Sequence, residues 1–161
     1  MLIKKQNYKI KKEVMSSRLY IGRTYPEALK ALNELDKIIL DSGIDKWHQN
    51  LIKIRASSLN GCAFCLDIHT QDAIKLGIDP RKISLIGAWR EAVNHFSEQE
   101  QMILQVTEAI TLIHKAGLSD EIYLRCIALF GQDLTVRIIT AITVINTWNR
   151  IGVGFKMQPV F

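Results

Sequence analysis

The sequence has few of the residues that interrupt helices: three prolines and nine glycines among 161 residues. It also lacks a long hydrophobic run. The most apolar stretch, residues 138–145, is broken by Thr140 and Thr143 and is much shorter than the roughly 20 residues of a membrane span. No apolar segment near the start has the form of a secretory signal. These absences favour long helices and predict a cytoplasmic protein without a membrane partner.

Charge is unevenly distributed along the chain. The net charge is +5, and the first twelve residues contain five lysines: Lys4, Lys5, Lys9, Lys11 and Lys12. Nucleic-acid binding would need a basic face on the folded body as well, so we interpret this segment as a solvated arm and expect no nucleic-acid partner. The 48% of apolar residues is typical of a globular domain. We predict a basic N-terminal arm over residues 1–24 and one domain over residues 25–161.

Apolar residues at helical spacing and local capping signals predict helices throughout that domain. Ser97 and Glu100 have the spacing of a capping box. No segment has the alternation of a strand core. The fold class predicted is all-α, a single-domain helical bundle with helices near residues 26–43, 45–57, 62–77, 79–89, 97–117, 119–131 and 134–150.

The chain has only three cysteines, and two of them are close together: Cys62 and Cys65. In a reducing compartment such a pair is more often catalytic or metal-binding than a static disulfide. With about 100° of rotation per helical residue, Cys62, Cys65 and His69 fall on one face of a helix. The spacing therefore brings two thiols and an imidazole together.

Thiol chemistry needs a thiolate, and a free cysteine with a pKa of about 8.5 is mostly protonated at neutral pH. The first turn of a helix favours negative charge, and the C-x-x-C arrangement lowers the pKa of one thiol. His69 can accept a proton from Cys65. An oxidised Cys65 could then condense with Cys62 into a disulfide.

Two other interpretations of the pair stay open from the spacing alone. A zinc site would use Cys62, Cys65, His69 and a fourth ligand from among Cys126, His48 and His114, although the chain has no second C-x-x-C. Simple packing is the other. No glycine-rich phosphate loop is present, so we expect no nucleotide or other cofactor and assign no metal ligand.

The longer string RASSLNGCAFC at residues 55–65, followed by His69-Thr70, resembles the core motif of the carboxymuconolactone decarboxylase superfamily, in particular its alkyl hydroperoxidase D-like branch. The resemblance covers roughly residues 25–158. It continues in four later segments: Trp89-Arg90-Glu91, residues 96–100, residues 108–111 and residues 146–150.

The resemblance implies an all-α fold, homo-oligomers such as trimers or hexamers, and a peroxidase mechanism. Carried over by position, Cys65 matches the peroxidatic cysteine, Cys62 the resolving cysteine and His69 the histidine of the proton relay. Two positions depart from the family pattern: Asn50 stands where a relay glutamate is usual, and Phe64 where the prototype has a histidine. Asn50 is a possible support for His69, since an amide can hydrogen-bond an imidazole but carries no charge.

The first hypothesis is therefore a thiol peroxidase that reduces organic hydroperoxides or hydrogen peroxide, with a dithiol or a redox partner protein as reductant. The second is a protein or lipoamide disulfide reductase without strong peroxidase activity. The third is a non-enzymatic redox switch or zinc clip. The decarboxylation that names the superfamily is not expected, because it does not need two thiols.

Overall fold

The computed structural model describes residues 18–19 and 21–160. Within these residues every regular element is helical, which confirms the all-α prediction. The α-helices are α1 Ile21–Thr24, α2 Pro26–Leu40, α3 Lys46–Leu59, α4 Ala63–Lys75, α5 Pro80–Leu85, α6 Glu98–Thr111, α7 Asp120–Phe130 and α8 Gln132–Gly154, with 3₁₀ segments at Ile86–Glu91 and Val93–His95.

The predicted basic arm is only partly covered by the described residues. Its last four residues form the short helix α1, so this end of the arm is helical. Residues 1–17 and 20, with all five clustered lysines, lie outside the described residues, and the arm and domain boundary at residue 24 stay a prediction.

Local signals set most of the helix boundaries. Ser97 and Glu100 form the capping box at the start of α6, as predicted. The helix predicted over residues 97–117 was too long. Helix α6 ends at Thr111, because the backbone of Leu112 leaves helical geometry (φ −99°, ψ 39°). Ile113, beyond this point, is 66% exposed, so continued helix there would have had no apolar surface to pack against.

Helix α3 is the centre of the bundle and packs against α4, α6 and α8. Leu51 and Ile52 of α3, Ile103 of α6 and Ile142 of α8 are fully buried. Buried apolar area is the main source of stability in such a bundle. The arrangement holds the N-terminus of α4 and the C-terminal half of α8 against the same end of α3.

Helices α7 and α8 meet at Gly131, where the chain bends by 120°. Gly131 has φ +79°, a backbone geometry that favours glycine. Among the described residues no single helix has the length and apolar character to cross a membrane, and α7 with α8 would do so only as a bent pair.

Candidate active site

A two-residue turn, Asn60-Gly61, joins α3 to α4 and presents the cysteine pair. Gly61 has φ +65° and donates to the carbonyl of Ser58 (3.3 Å), while the N–H of Cys62 donates to the carbonyl of Ser57 (2.9 Å). This is the Schellman pattern, which needs a left-handed residue, usually glycine, just after the helix. The turn that ends α3 therefore fixes the backbone of Cys62.

Cys62 is also the N-cap of α4, so its sulfur lies at the positive end of that helix. The backbone N–H of Cys65 donates to Cys62 Sγ at 3.4 Å. Both side chains are buried, with 2% of Cys62 and 6% of Cys65 exposed. Both are free thiols, so this is the dithiol form of the pair.

The two thiols differ in acidity because they share a proton. The pKa of Cys62 is lowered to about 7, first by a hydrogen bond from the Cys65 thiol and, against the opposing effect of burial, by the Cys65 backbone N–H and the Asn149 amide. The pKa of Cys65 is raised, because its thiol holds the proton in that hydrogen bond and because burial disfavours its charge. The negative charge of the pair therefore rests on Cys62.

Helix α8 covers the dithiol from the other side. The carbonyl of Trp148 lies 4.0 Å from Cys65 Sγ. A Cβ atom on Gly152 would lie 2.6 Å from Cys62 Sγ and 3.4 Å from Cys65 Sγ. The two sulfurs thus converge on the bare backbone of α8.

A buried network of amides fastens α8 to the turn that carries the cysteines. Asn149 is fully buried. Its Nδ2 donates to Ser57 Oγ at 2.9 Å, and its Oδ1 accepts from Asn60 Nδ2 at 2.9 Å. The same Asn60 Nδ2 donates to Asn146 Oδ1 at 2.9 Å. Buried amides paired in this way fix one register between helices.

His69 lies on α4 and is buried, with 8% of its surface exposed. Burial lowers its pKa to about 3, and the positive charge of Lys53 adds to this, while the charge of Asp36 opposes it. Its Nδ1 is 4.0 Å from Asp72 Oδ2. The imidazole is therefore neutral at physiological pH.

Asn50, predicted as a possible support for His69, makes its hydrogen bond within its own helix. Asn50 Nδ2 donates to the carbonyl of Lys46 in its own helix at 3.0 Å, and the described residues include no hydrogen bond between Asn50 and His69. Lys53 and Asp36, a buried ion pair 3.8 Å apart, shift the pKa of His69 in opposite directions. Asn50 and Lys53 line a cleft of about 280 Å³ together with Asp72.

The other residues considered for a zinc site lie in different surroundings. Cys126 Sγ accepts from Thr135 Oγ1 at 3.6 Å, the His48 ring packs edge-on against Phe130, and His114 is exposed. Across residues 18–19 and 21–160 no three His, Cys, Asp or Glu side chains are grouped so that they could hold a metal ion.

Two residues of this site, Asn149 and Gly152, were missed as site residues by sequence reasoning. Both are more than 80 residues from the cysteines in the chain, and the motif around residues 55–70 gives no indication of them. One signal was available for the amides: Asn146 and Asn149 are polar residues three positions apart, about one helical turn, in the second half of α8. The sequence around Gly152 has no comparable signal, because the contact of Gly152 with the two sulfurs depends on how α8 packs against the start of α4.

Comparisons with known proteins show the family to which this chain belongs. The model of the carboxymuconolactone decarboxylase family matches residues 26–109, just over half of the chain. The uncharacterized protein YdfG of Bacillus subtilis is 37% identical over 140 residues, covering 87% of this chain and 95% of its own.

Two solved structures are similar as well. One is a protein of unknown function from Agrobacterium tumefaciens, for which the suggested role is antioxidant defence protein AhpD; its TM-score is 0.87 at 38% identity, over 91% of this chain and 99% of that one. An uncharacterized peroxidase-related protein from Silicibacter shares the fold, with a TM-score of 0.73 at 19% identity over 84% and 71% of the two chains. The resemblance inferred from the motif is confirmed: this chain belongs to the carboxymuconolactone decarboxylase superfamily, in its alkyl hydroperoxidase D-like branch.

Proposed function

We propose that this protein is a thiol-dependent peroxidase that reduces organic hydroperoxides or hydrogen peroxide through a Cys62/Cys65 dithiol–disulfide cycle. One observation carries the proposal: two buried thiols converge at the N-terminus of α4, and the pKa of one is lowered to about 7. A thiolate available at neutral pH beside a second thiol is what a peroxidase of this type needs.

The first step is attack on the peroxide. Cys62 thiolate takes the proton of the Cys65 thiol, and the Cys65 sulfur then attacks the terminal, hydroxyl oxygen of the hydroperoxide. The O–O bond breaks, Cys65 becomes a sulfenic acid, and the leaving alkoxide takes up a proton to become the alcohol. Cys65 is the attacking sulfur implied by the family resemblance, and it is the more exposed of the two.

The second step closes the disulfide. Cys62, again a thiolate after its proton has gone to the alkoxide, attacks the sulfenic sulfur of Cys65 and displaces hydroxide. An external dithiol, free or on a redox partner protein, then reduces the disulfide by exchange and is itself oxidised. Two electrons pass from the reductant to the peroxide in each cycle.

In this proposal His69 relays the proton and Cys62 holds the charge. A buried imidazole with a pKa of about 3 is too weak a base to keep a thiol ionised at pH 7. It can carry a proton from the thiol pair to the alkoxide without retaining it. The role suggested for the Agrobacterium relative, antioxidant defence, supports the same kind of activity.

Disulfide reduction is the second candidate, and the acidity of Cys62 favours it. Exchange is fastest for an attacking thiol whose pKa is near the ambient pH, and Cys62 meets this condition. In this reaction Cys62 would attack a protein or lipoamide disulfide, and Cys65 would release the product. The absence of a carboxylate at position 50 also reduces support for proton transfer to a peroxide.

Turnover of an organic hydroperoxide with a dithiol reductant separates the two candidates. We expect the wild type to consume hydroperoxide, Cys65→Ser to lose the activity, and Cys126→Ser to keep it as the matched cysteine control. Hydroperoxide consumption equal in the wild type and Cys65→Ser would overturn the peroxidase proposal. Reduction of lipoamide or protein disulfides without hydroperoxide consumption would favour the second candidate.

A further inference from the structure

The dithiol contacts α8 at a residue that has no side chain. A Cβ atom placed on Gly152 would lie 2.6 Å from Cys62 Sγ, which is closer than two non-bonded heavy atoms approach in a packed interior. Gly154 lies two residues further along the same helix, and among the described residues no atom outside its own stretch of helix lies within 4 Å of its Cβ position. Close approach is therefore a property of Gly152 and not of the end of α8 in general.

The backbone of α8 cannot easily retreat from the sulfurs. One turn before Gly152, Asn149 is held by hydrogen bonds to Ser57 and Asn60 at 2.9 Å each. On the other side, the carbonyl of Gly152 accepts a hydrogen bond from the N–H of Met157, which follows the end of α8, at 2.8 Å. A side chain at position 152 would therefore displace the Cys62 sulfur, which needs only a rotation about one bond, and not the helix.

We propose that Gly152 is the positioning residue of the dithiol: its missing side chain is what allows the Cys62 sulfur to lie between α8 and Cys65. This inference deepens the proposed function and rests on it only for the catalytic consequence. The steric claim itself concerns the two sulfurs and needs no peroxide.

Displacement of the Cys62 sulfur has two consequences for the pair. The sulfur would lose the N–H of Cys65, which is 3.4 Å away, together with the proton it shares with the Cys65 thiol. It would also move out of position for the S–S bond. In the exchange equilibrium, the Cys62–Cys65 disulfide plus reduced dithiothreitol gives the two thiols plus oxidised dithiothreitol, so a poorly placed pair shifts the balance toward the thiols.

The test compares Gly152→Ala with Gly154→Ala, which makes the same chemical change on the same helix. For Gly152→Ala we expect the pH midpoint of Cys62 alkylation to rise by about one unit and the dithiothreitol equilibrium to shift toward the dithiol by about tenfold or more. Gly154→Ala should match the wild type in both measurements. Wild-type values for both measurements in folded Gly152→Ala would overturn the proposal.

A second pair of variants covers the case in which Gly152→Ala does not fold. In Cys62→Ala the sulfur is absent, and the methyl group of Gly152→Ala has room. We expect Gly152→Ala to lower the unfolding midpoint in the wild-type background and to be tolerated in the Cys62→Ala background. An equal loss of stability in both backgrounds would show that the clash is not with the sulfur and would overturn the inference.

Failure of this inference is distinguishable from failure of the proposed function. The thiol measurements and the thermal cycle are made without any hydroperoxide. A shifted equilibrium in Gly152→Ala supports the positioning role even if the wild type reduces no peroxide, whereas wild-type peroxidase activity with unchanged thiols in Gly152→Ala contradicts the positioning role alone.

Discussion

At the scale of single residues, the proton shared by Cys62 and Cys65 explains how a buried pair can react at neutral pH. Burial alone would raise the pKa of both thiols. The hydrogen bonds from the Cys65 thiol, the Cys65 N–H and the Asn149 amide reverse this effect and lower the pKa of Cys62. The same hydrogen bond between the two thiols raises the pKa of Cys65, so Cys65 stays protonated while Cys62 is charged.

The first prediction concerns the pH dependence of this pair. Alkylation of the reduced protein should accelerate as the pH rises, with a midpoint of about 7, because the thiolate of Cys62 is the reactive form and is lost below that pH. In Cys65→Ser the midpoint should change, since the thiol that donates to Cys62 has been replaced. Cys126→Ser should keep the wild-type midpoint. A wild-type midpoint near that of a free thiol would contradict the shared proton.

The second prediction concerns His69 and acid stability. In the folded protein its pKa is about 3, and in the unfolded chain it returns toward 6.5, so between these values the unfolded chain binds a proton that the folded protein does not. The free energy of unfolding should therefore fall as the pH decreases from 6.5 to 3, by up to about 1.4 kcal/mol per pH unit from this residue.

Urea unfolding at several pH values measures this effect. We expect His69→Gln to flatten the loss of stability over that range, while His114→Gln, at an exposed position, keeps the wild-type slope. The same slope in His69→Gln and in the wild type would mean that His69 is not the buried neutral group described here.

At the scale of elements, the sequence predicted the turn between α3 and α4. It did not predict that α8 packs across the cysteine pair. Asn60-Gly61 indicated the break between α3 and α4, and the spacing of Cys62, Cys65 and His69 placed them on one helix face. These signals depend on neighbours in the chain. The contact of Gly152 with the sulfurs depends on how α8 packs across the bundle, and no pattern within α8 determines that.

The third prediction tests the link between α3 and α8. Asn149→Ala removes the partner of Ser57 Oγ and one of the two acceptors of Asn60 Nδ2, and leaves a buried cavity. We expect a loss of roughly 2–3 kcal/mol in the free energy of unfolding. Asn50→Ala is the matched control, because among the described residues its amide donates only to the carbonyl of Lys46 in its own helix, and it should change stability by no more than about 0.5 kcal/mol. Equal effects of the two variants would contradict the role of the network.

At the scale of the whole molecule, the fold class and the seven helices from α2 to α8 followed from composition and periodicity, because apolar faces at helical spacing leave few ways to form a core. The ends of helices were less predictable where tertiary packing decided them, as at Thr111 in α6. The charges around His69 could not be foreseen either, since Asp36 lies on α2 and Lys53 on α3.

The fourth prediction concerns assembly, which the family resemblance implies. Large apolar side chains are exposed on α7 and α8, among them Leu124 (62%) and Val136 (57%), and such residues are frequent where subunits meet. We expect sedimentation analysis to give the mass of a trimer or hexamer of the 18.4 kDa chain. A monomer at every concentration measured would contradict it.

The most direct test of the account is a single turnover of the reduced protein with one equivalent of an organic hydroperoxide, followed by intact-mass analysis and peptide mapping. We predict that the protein loses two hydrogen atoms, that the disulfide maps to Cys62 and Cys65, and that one equivalent of alcohol appears. A protein that stays fully reduced, or one oxidised only at Cys126, would contradict the central claim that these two thiols act together on a peroxide.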